Sequence, residues 1–93
     1  MLKGIRYTAQ FKRDYKLAIK RGCREDALTE VLNLLMAGTP LPPQYRDHPL
    51  VNSKRYGGAR DCHIAPDWIL IYRIQNDELI LELLRTGSHS DLF

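Results

Sequence analysis

The sequence predicts an α+β fold in which an N-terminal strand and a helical hairpin pack on a small, mainly antiparallel sheet of about four strands. Two segments near the N-terminus repeat apolar residues at helical spacing, and the C-terminal third alternates around a turn like a β-hairpin. The chain has 93 residues, with 44% hydrophobic and 27% charged residues, which suits one soluble globular domain. We therefore expect a single domain over residues 1–93.

The first half of the chain supplies the predicted N-terminal strand, over residues 3–8, and the two helices, over about 9–21 and 25–37. Thr8 is the expected N-cap of the first helix, and Gly22 and Gly38 end the two helices. The apolar stripes of both helices predict core packing rather than a cofactor site. They consist of Phe11, Tyr15, Ala18 and Ile19 in the first helix and Leu28, Val31, Leu32, Leu35 and Met36 in the second.

The second half supplies the sheet. Residues 39–53 contain four prolines and predict an irregular loop, and residues 54–64 predict a strand with a bulge or a close backbone approach at Gly57-Gly58. Two further strands, over 68–75 and 78–85, are expected to pair through a two-residue turn, which places Trp68 opposite Arg85. One face of this hairpin should meet the helices: Trp68, Leu70, Tyr72, Ile74, Leu79, Leu81 and Leu83. On the other face Arg73 should reach Glu78 and Glu82.

Charge is distributed unevenly along the chain. Residues 1–24 contain eight lysines and arginines against one aspartate, whereas residues 25–93 contain six against ten acidic residues. This basic segment favours a surface for a polyanion, such as RNA, or for an acidic partner. An ordinary solvated helix face is an equally good interpretation. The residues concerned on the first helix are Lys12, Arg13, Lys16 and Lys20.

Composition also indicates the compartment. Cys23 and Cys62 are far apart and form no disulfide pattern, which predicts free thiols in a reducing setting. No apolar run approaches the roughly 20 residues that span a bilayer, and the N-terminus has no apolar signal region. We therefore expect a cytoplasmic protein with no membrane association.

Several titratable residues are predicted to meet at one edge of the sheet. Pro66 separates His63 from Asp67 and predicts a tight connection between two strands. In the predicted register Arg85 reaches the same edge, and His89 follows four residues later. Two imidazoles, a carboxylate and a guanidinium suit metal-independent RNA cleavage, in which the ribose 2′-hydroxyl attacks the adjacent phosphorus.

Histidine has an ordinary pKa of about 6.5 and can act as either acid or base in such a reaction. Trp68 or Phe93 could offer a ring face to an unstacked base. Two alternatives stay open. The polar residues at this edge could make only ordinary structural hydrogen bonds, or His48, His63, Asp67 and His89 could bind a metal, which Arg85 would oppose.

Three motifs resemble the YafQ-type toxins of the RelE/ParE superfamily, which belong to bacterial type II toxin–antitoxin systems. They are Asp47-His48-Pro49-Leu50, the segment from Arg60 to Tyr72 (RDCHIAPDWILIY), and the C-terminal segment from Arg85 to Phe93 (RTGSHSDLF). The resemblance extends over the whole chain. It implies a RelE-like fold and a ribosome-dependent mRNA interferase that cuts messenger RNA in the ribosomal A site until a cognate antitoxin inactivates it. From the chemistry of the sheet edge we expect no metal or other cofactor.

The resemblance also implies functional roles for named residues. His89 or Asp67 would be the base and His63 or His89 the acid, while Arg85 would bind the phosphate. His48 and Phe93 would position the substrate. The expected partners are the 70S ribosome, messenger RNA and an antitoxin of the ribbon-helix-helix type, and the free toxin is expected to be monomeric.

Three other functions compete with this interpretation. They are a ribosome-independent RNase, a ParE-like toxin that binds gyrase without cutting RNA, and an RNA-binding module that uses the basic helix alone. The histidines at the sheet edge favour an enzyme over either binder.

Overall fold

The computed structural model describes residues 1–50, 54 and 56–93 and shows an α+β fold built on a five-stranded sheet. The predicted fold class is confirmed, with one strand more than expected. The strand order is β1-β5-β4-β3-β2, and β1 runs parallel to β5 while the other neighbours are antiparallel. The elements are β1 (Gly4–Tyr7), α1 (Ala9–Lys20), α2 (Glu25–Met36), a 3₁₀ turn (Pro43–Tyr45), β2 (His48–Pro49), β3 (Arg60–Ala65), β4 (Trp68–Gln75), β5 (Ile80–Gly87) and α3 (His89–Leu92).

The helical hairpin forms where the sequence predicts it. The Thr8 hydroxyl accepts a hydrogen bond from the Phe11 amide at 3.0 Å and caps α1. Gly22 and Gly38 adopt positive φ angles of 92° and 76° just beyond the two helices, a conformation that glycine adopts without strain. Within the described residues, no helix has the length and apolar character needed to cross a membrane.

The main core lies between the helices and one face of the sheet. Phe11, Val31 and Leu35 from the helices pack there. The predicted sheet face is confirmed for Trp68, Leu70, Tyr72, Ile74, Leu81 and Leu83. Two residues predicted to lie in the core are exceptions: Ile19 is 40% exposed, and Leu79 lies in a turn.

A smaller apolar cluster covers the opposite face of the sheet, hereafter the second face. Its buried members are Ala59, Ile69, Ile71 and Leu84, and Leu92 of α3 packs against it. The candidate site described below lies on the second face.

The predicted hairpin register is wrong. Residues 76–79 form a four-residue turn that ends with Leu79 at a φ of +56°, so Gln75 pairs with Ile80. The register shifts again near Leu84, and Arg85 therefore pairs with Ile71 instead of Trp68. Arg73 lies opposite Glu82, and its Nε is 3.0 Å from Oε1. Glu78, the other predicted partner, bonds Arg6 instead.

Residues 39–65 are more regular than predicted. The proline-rich segment contains the 3₁₀ turn and the two-residue strand β2, and Tyr45 is buried in the main core. The strand predicted over 54–64 begins only at Arg60, since the chain turns at Gly57-Gly58. The bulge lies between His63 and Ala65 rather than at the glycines. Residues 51–53 of the predicted loop and residue 55 of the predicted strand fall outside the described residues.

Candidate active site

Strand pairing brings three polar residues together on the second face. His48 of β2 pairs with Asp61 of β3, and Asp61 pairs with Ile71 of β4. His63 lies two residues beyond Asp61, so its side chain points to the same face of the strand. Ile71 belongs to the second-face cluster, and the polar residues therefore border an apolar floor.

The carboxylate of Asp61 is the buried centre of this group. Asp61 is only 4% exposed, and the His48 Nε2 lies 3.1 Å from its Oδ1. Burial raises the pKa of Asp61 above its ordinary value, while the nearby His48, His63 and His89 act in the opposite direction. All three histidines of the chain thus lie within electrostatic range of one buried carboxylate. We call Asp61, His48, His63 and His89 the histidine cluster.

His48 is engaged at both ring nitrogens. Its Nδ1 lies 2.7 Å from the Arg46 carbonyl oxygen, which can only accept a hydrogen bond. The contact between His48 Nε2 and Asp61 Oδ1 is an ion-pair distance, and within the described residues Oδ1 makes no hydrogen bond. The imidazole and the carboxylate are therefore close enough to interact electrostatically.

The backbone of His48 is fixed from the opposite side of the sheet. Its neighbour Asp47 accepts hydrogen bonds from Arg60 Nε and Nη2 at 3.3 and 3.1 Å. The Tyr72 hydroxyl donates a further, short hydrogen bond to Asp47. Because Tyr72 lies in the main core, this network ties the segment before β2 to the sheet and aims His48 at the second face.

His89 comes to the cluster on α3. The Ser88 side chain caps this helix, and the Asp91 carboxylate accepts in return from the Ser88 amide, forming a capping box. The His89 amide donates to Asp67 Oδ1 at 3.3 Å. The His89 ring lies 5.2 Å from that of Phe93, which is 57% exposed. Within the described residues, neither His63 nor His89 has a ring hydrogen-bond partner, so both rings are available to a substrate.

Arg85 lies near the C-terminal end of β5, beside α1. Its Nε lies 2.7 Å from Asp14 Oδ2, and it also bonds the Tyr56 side chain. Burial would raise the pKa of Asp14, but hydrogen bonds from Arg85, Gln10 and the Thr86 amide outweigh it and lower that pKa. The Asp14 carboxylate therefore stays ionised and balances the guanidinium.

The sequence predicts that Arg85, Asp67 and Trp68 lie together at one edge of the sheet, and the structure brings them together in another place. All three line a crevice of about 500 Å³ bounded by α1, β5 and α3, rather than a shared strand edge. Trp68 is 3% exposed and packs in the main core, so its ring offers no face to a base. Of the two aromatic residues predicted for stacking, only Phe93 is exposed.

The basic residues of α1 are exposed, as their spacing predicts: Lys12, Arg13, Lys16 and Lys20. They lie outside the histidine cluster. The next residue, Arg21, connects α1 to the site, because its Nη1 lies 2.7 Å from Asp91 Oδ2 on α3.

Metal ligands and thiols are the other reactive groups of the chain. Across residues 1–50, 54 and 56–93, no three or more His, Cys, Asp and Glu side chains form a group that could hold a metal ion. Cys23 and Cys62 are free thiols. Burial raises the pKa of Cys62 to about 12, which keeps this thiol protonated at neutral pH.

Asp61 is the site residue that the sequence analysis missed. The signal was present, because Asp61 and His63 are two residues apart in a predicted strand and must share a face. The adjacent Cys62 lies in the main core, which assigns Asp61 and His63 to the second face.

Comparison with known proteins defines the class of this protein. Residues 3–93 match the family described as "Bacterial toxin of type II toxin-antitoxin system, YafQ". The mRNA interferase toxin YafQ of Escherichia coli (strain B / BL21-DE3) is 46% identical over 92 residues, which cover 98% of this chain and 96% of the relative. The chain is thus the toxin of a type II toxin–antitoxin system.

Solved structures agree with this assignment. YafQ in the Escherichia coli DinJ–YafQ complex is 46% identical over 96% of both chains, with a TM-score of 0.84. A metal-bound toxin from Helicobacter pylori is 39% identical over the full length of both chains, with a TM-score of 0.88. The protein belongs to the YafQ family.

Proposed function

We propose that this toxin is a metal-independent mRNA interferase that cleaves messenger RNA in the ribosomal A site. The observation that carries the proposal is the histidine cluster: one imidazole in contact with a buried carboxylate, and two more imidazoles that act on it electrostatically. The mRNA interferase relative of Escherichia coli supports the reaction class. The cluster supplies what 2′-hydroxyl attack on phosphorus needs, a proton acceptor and a proton donor at one site.

The geometry favours a division of roles within the cluster. His63 and His89 have available ring nitrogens and act as the acid and base, in either order, with Asp67 holding His89 through its amide. His48, beside the Asp61 carboxylate, positions the substrate. Arg85 binds the phosphate, sharing its charge with Asp14, and Phe93 stacks on an unstacked base beside His89.

The proposed partners follow from this activity. The toxin acts in the cytoplasm on 70S ribosomes, as a monomer of one domain, and a cognate antitoxin of the ribbon-helix-helix type neutralises it. The DinJ–YafQ complex of Escherichia coli supports an antitoxin partner. The exposed basic face of α1 is the proposed docking surface on ribosomal RNA.

The test is cleavage of a defined messenger RNA on purified 70S ribosomes, mapped by primer extension. We expect wild-type toxin to cut within the A-site codon, and His63→Gln and His89→Gln to lose about 100-fold or more of the rate. Both variants should keep the wild-type melting temperature within a few degrees. Asn33→Ala, a change at an exposed position of α2, is the control and should cut normally.

Two results would contradict the proposal. Equal cleavage of the same RNA without ribosomes would show a ribosome-independent RNase. Growth arrest by a toxin that leaves messenger RNA intact would instead favour a binder, such as a gyrase poison.

A further inference from the structure

The histidine cluster borders a cavity that the proposed chemistry does not use. This cavity has a volume of about 330 Å³ and lies between the 3₁₀ turn and the end of β3. His63 forms part of its wall, so any group bound there would lie next to a proposed acid or base. Its other lining residues include Gln44, Arg46, Ile64 and Pro66.

The lining has the composition that recognises an unstacked base. Ile64, Ala65 and Pro66 supply an apolar wall, while the Gln44 amide and the Arg46 guanidinium supply hydrogen-bonding groups. No carboxylate is found among the described residues that line it. The crevice between α1 and α3 differs, since Asp14, Asp67 and Asp91 line it. A polyanion is therefore favoured at this cavity.

The segment that carries Gln44 and Arg46 is fixed before any ligand binds. Tyr45, between them, is 6% exposed and anchored in the main core. Arg46 adopts a left-handed conformation with φ 48° and ψ 40°, which is uncommon for a residue other than glycine. Its carbonyl oxygen contacts His48 Nδ1 at 2.7 Å, so the backbone of Arg46 connects the cavity to the histidine cluster.

We propose that this cavity is a nucleotide subsite in which Arg46 and Gln44 read the base that flanks the scissile phosphate. Arg46 binds the base edge through two parallel N–H groups, as arginine does with guanine, and the apolar wall supports the base face. The inference rests on the proposed RNA cleavage and specifies which residues give it a base preference.

The test compares Arg46→Ala, Arg46→Lys and Gln44→Ala with wild type, using Arg24→Ala as the matched control. Arg24 is an exposed arginine at the start of α2, and among the described residues its side chain bonds Asp26. Cleavage is measured on ribosomes whose A-site codon and following base are randomised. Binding is measured separately, by fluorescence anisotropy with a 2′-O-methyl RNA octamer that cannot be cut.

We expect Arg46→Ala to weaken octamer binding about 10-fold and to remove the base preference at one position beside the cut. Arg46→Lys keeps the charge but not the paired N–H groups, so it should recover part of the binding and none of the preference. Gln44→Ala should shift the preference with little loss of affinity. Arg24→Ala should match wild type in both measurements.

The two proposals can fail separately. Wild-type binding and preference in Arg46→Ala, or no octamer binding by wild type, would overturn the subsite while leaving ribosomal cleavage in place. If wild type binds the octamer through Arg46 but cuts no messenger RNA, the subsite stands and the proposed cleavage is wrong. Unfolding is excluded as a cause when the variants share the melting temperature of Arg24→Ala.

Discussion

The guanidinium of Arg21 lies 2.7 Å from the carboxylate of Asp91, joining the end of α1 to the short helix that carries His89. Asp91 also completes the capping box with Ser88. Hydrogen bonds from Ser88 and Arg21 lower the pKa of Asp91, so its carboxylate is charged at neutral pH. A four-residue helix is too short to be stable alone, so these contacts help to determine where His89 lies.

Arg21→Ala is therefore expected to reduce cleavage by loosening α3. The two side chains are partly exposed, and such an ion pair contributes about 0–1 kcal/mol. The rate should fall by no more than about fivefold, with an unchanged melting temperature and faster hydrogen exchange of the α3 amides. Arg21→Lys should restore most of the rate. Slow exchange in Arg21→Ala together with a normal rate would show that the ion pair does not position His89.

Much of this arrangement could be predicted from alternation along the strands. The predicted turn was two residues too short, and a two-residue slip in a strand leaves every side chain on its original face. The core face was therefore right although the paired residues were wrong. The register shift at Leu84 places one extra residue in β5, so the residues after it no longer keep the predicted alternation. Nothing in the local sequence marks this shift, and the position of Arg85 was therefore missed.

The strand β2 could not be predicted from local sequence either. His48-Pro49 is only two residues long, and proline is a poor strand residue. The segment is held by long-range contacts of Asp47 with Arg60 and Tyr72. Tertiary contacts of this kind override local propensity, whereas Asp61 could have been found by applying the same alternation to β3.

Asp61→Asn is expected to raise the stability of the fold at pH 7 and to lower the cleavage rate. Burial raises the pKa of Asp61, so its contribution to stability is full below its ordinary pKa of 3.8 and is lost as the pH rises through the higher folded value. At pH 7 the amide should stabilise the fold by about 0.5–2 kcal/mol, while cleavage falls because His48 loses its charged partner.

The measurement is thermal unfolding of both proteins from pH 3 to pH 8, beside cleavage rates at pH 7. The advantage of Asp61→Asn should disappear in acid, where wild-type Asp61 is protonated. Asp77→Asn changes an exposed carboxylate in the β4–β5 turn and serves as the control. A lower melting temperature for Asp61→Asn at pH 7 would show that the ionised carboxylate stabilises the fold through the three histidines.

Removal of transition metals should leave cleavage unchanged. The reaction proposed here needs proton transfer by imidazoles and charge compensation by Arg85, and no step uses a bound metal. Cleavage is first measured with phenanthroline at constant magnesium, and then in excess EDTA on crosslinked ribosomes. If the chelator abolishes cleavage and added zinc or copper restores it, the histidines bind a metal and the proposal is wrong. The metal-bound toxin from Helicobacter pylori makes this test informative for the family.

Reversal of charge on α1 should weaken ribosome binding without damaging the histidine cluster. Lys12 and Lys16 are exposed on α1 and lie outside the cluster. Each phosphate contact contributes roughly 0.7–0.9 to the slope of log affinity against log salt concentration. Lys12→Glu with Lys16→Glu should therefore lower affinity at physiological salt and flatten this slope by about 1.4–1.8 if both residues contact phosphate.

The control for this double variant carries the same change in net charge at Lys3 and Arg24, which lie outside α1. If both double variants lose affinity equally, total charge rather than the α1 surface attracts the ribosome. Saturating concentrations of the α1 variant should cut at close to the wild-type rate, because His63 and His89 are untouched. Wild-type affinity and slope in the α1 variant would show that these lysines are merely solvated.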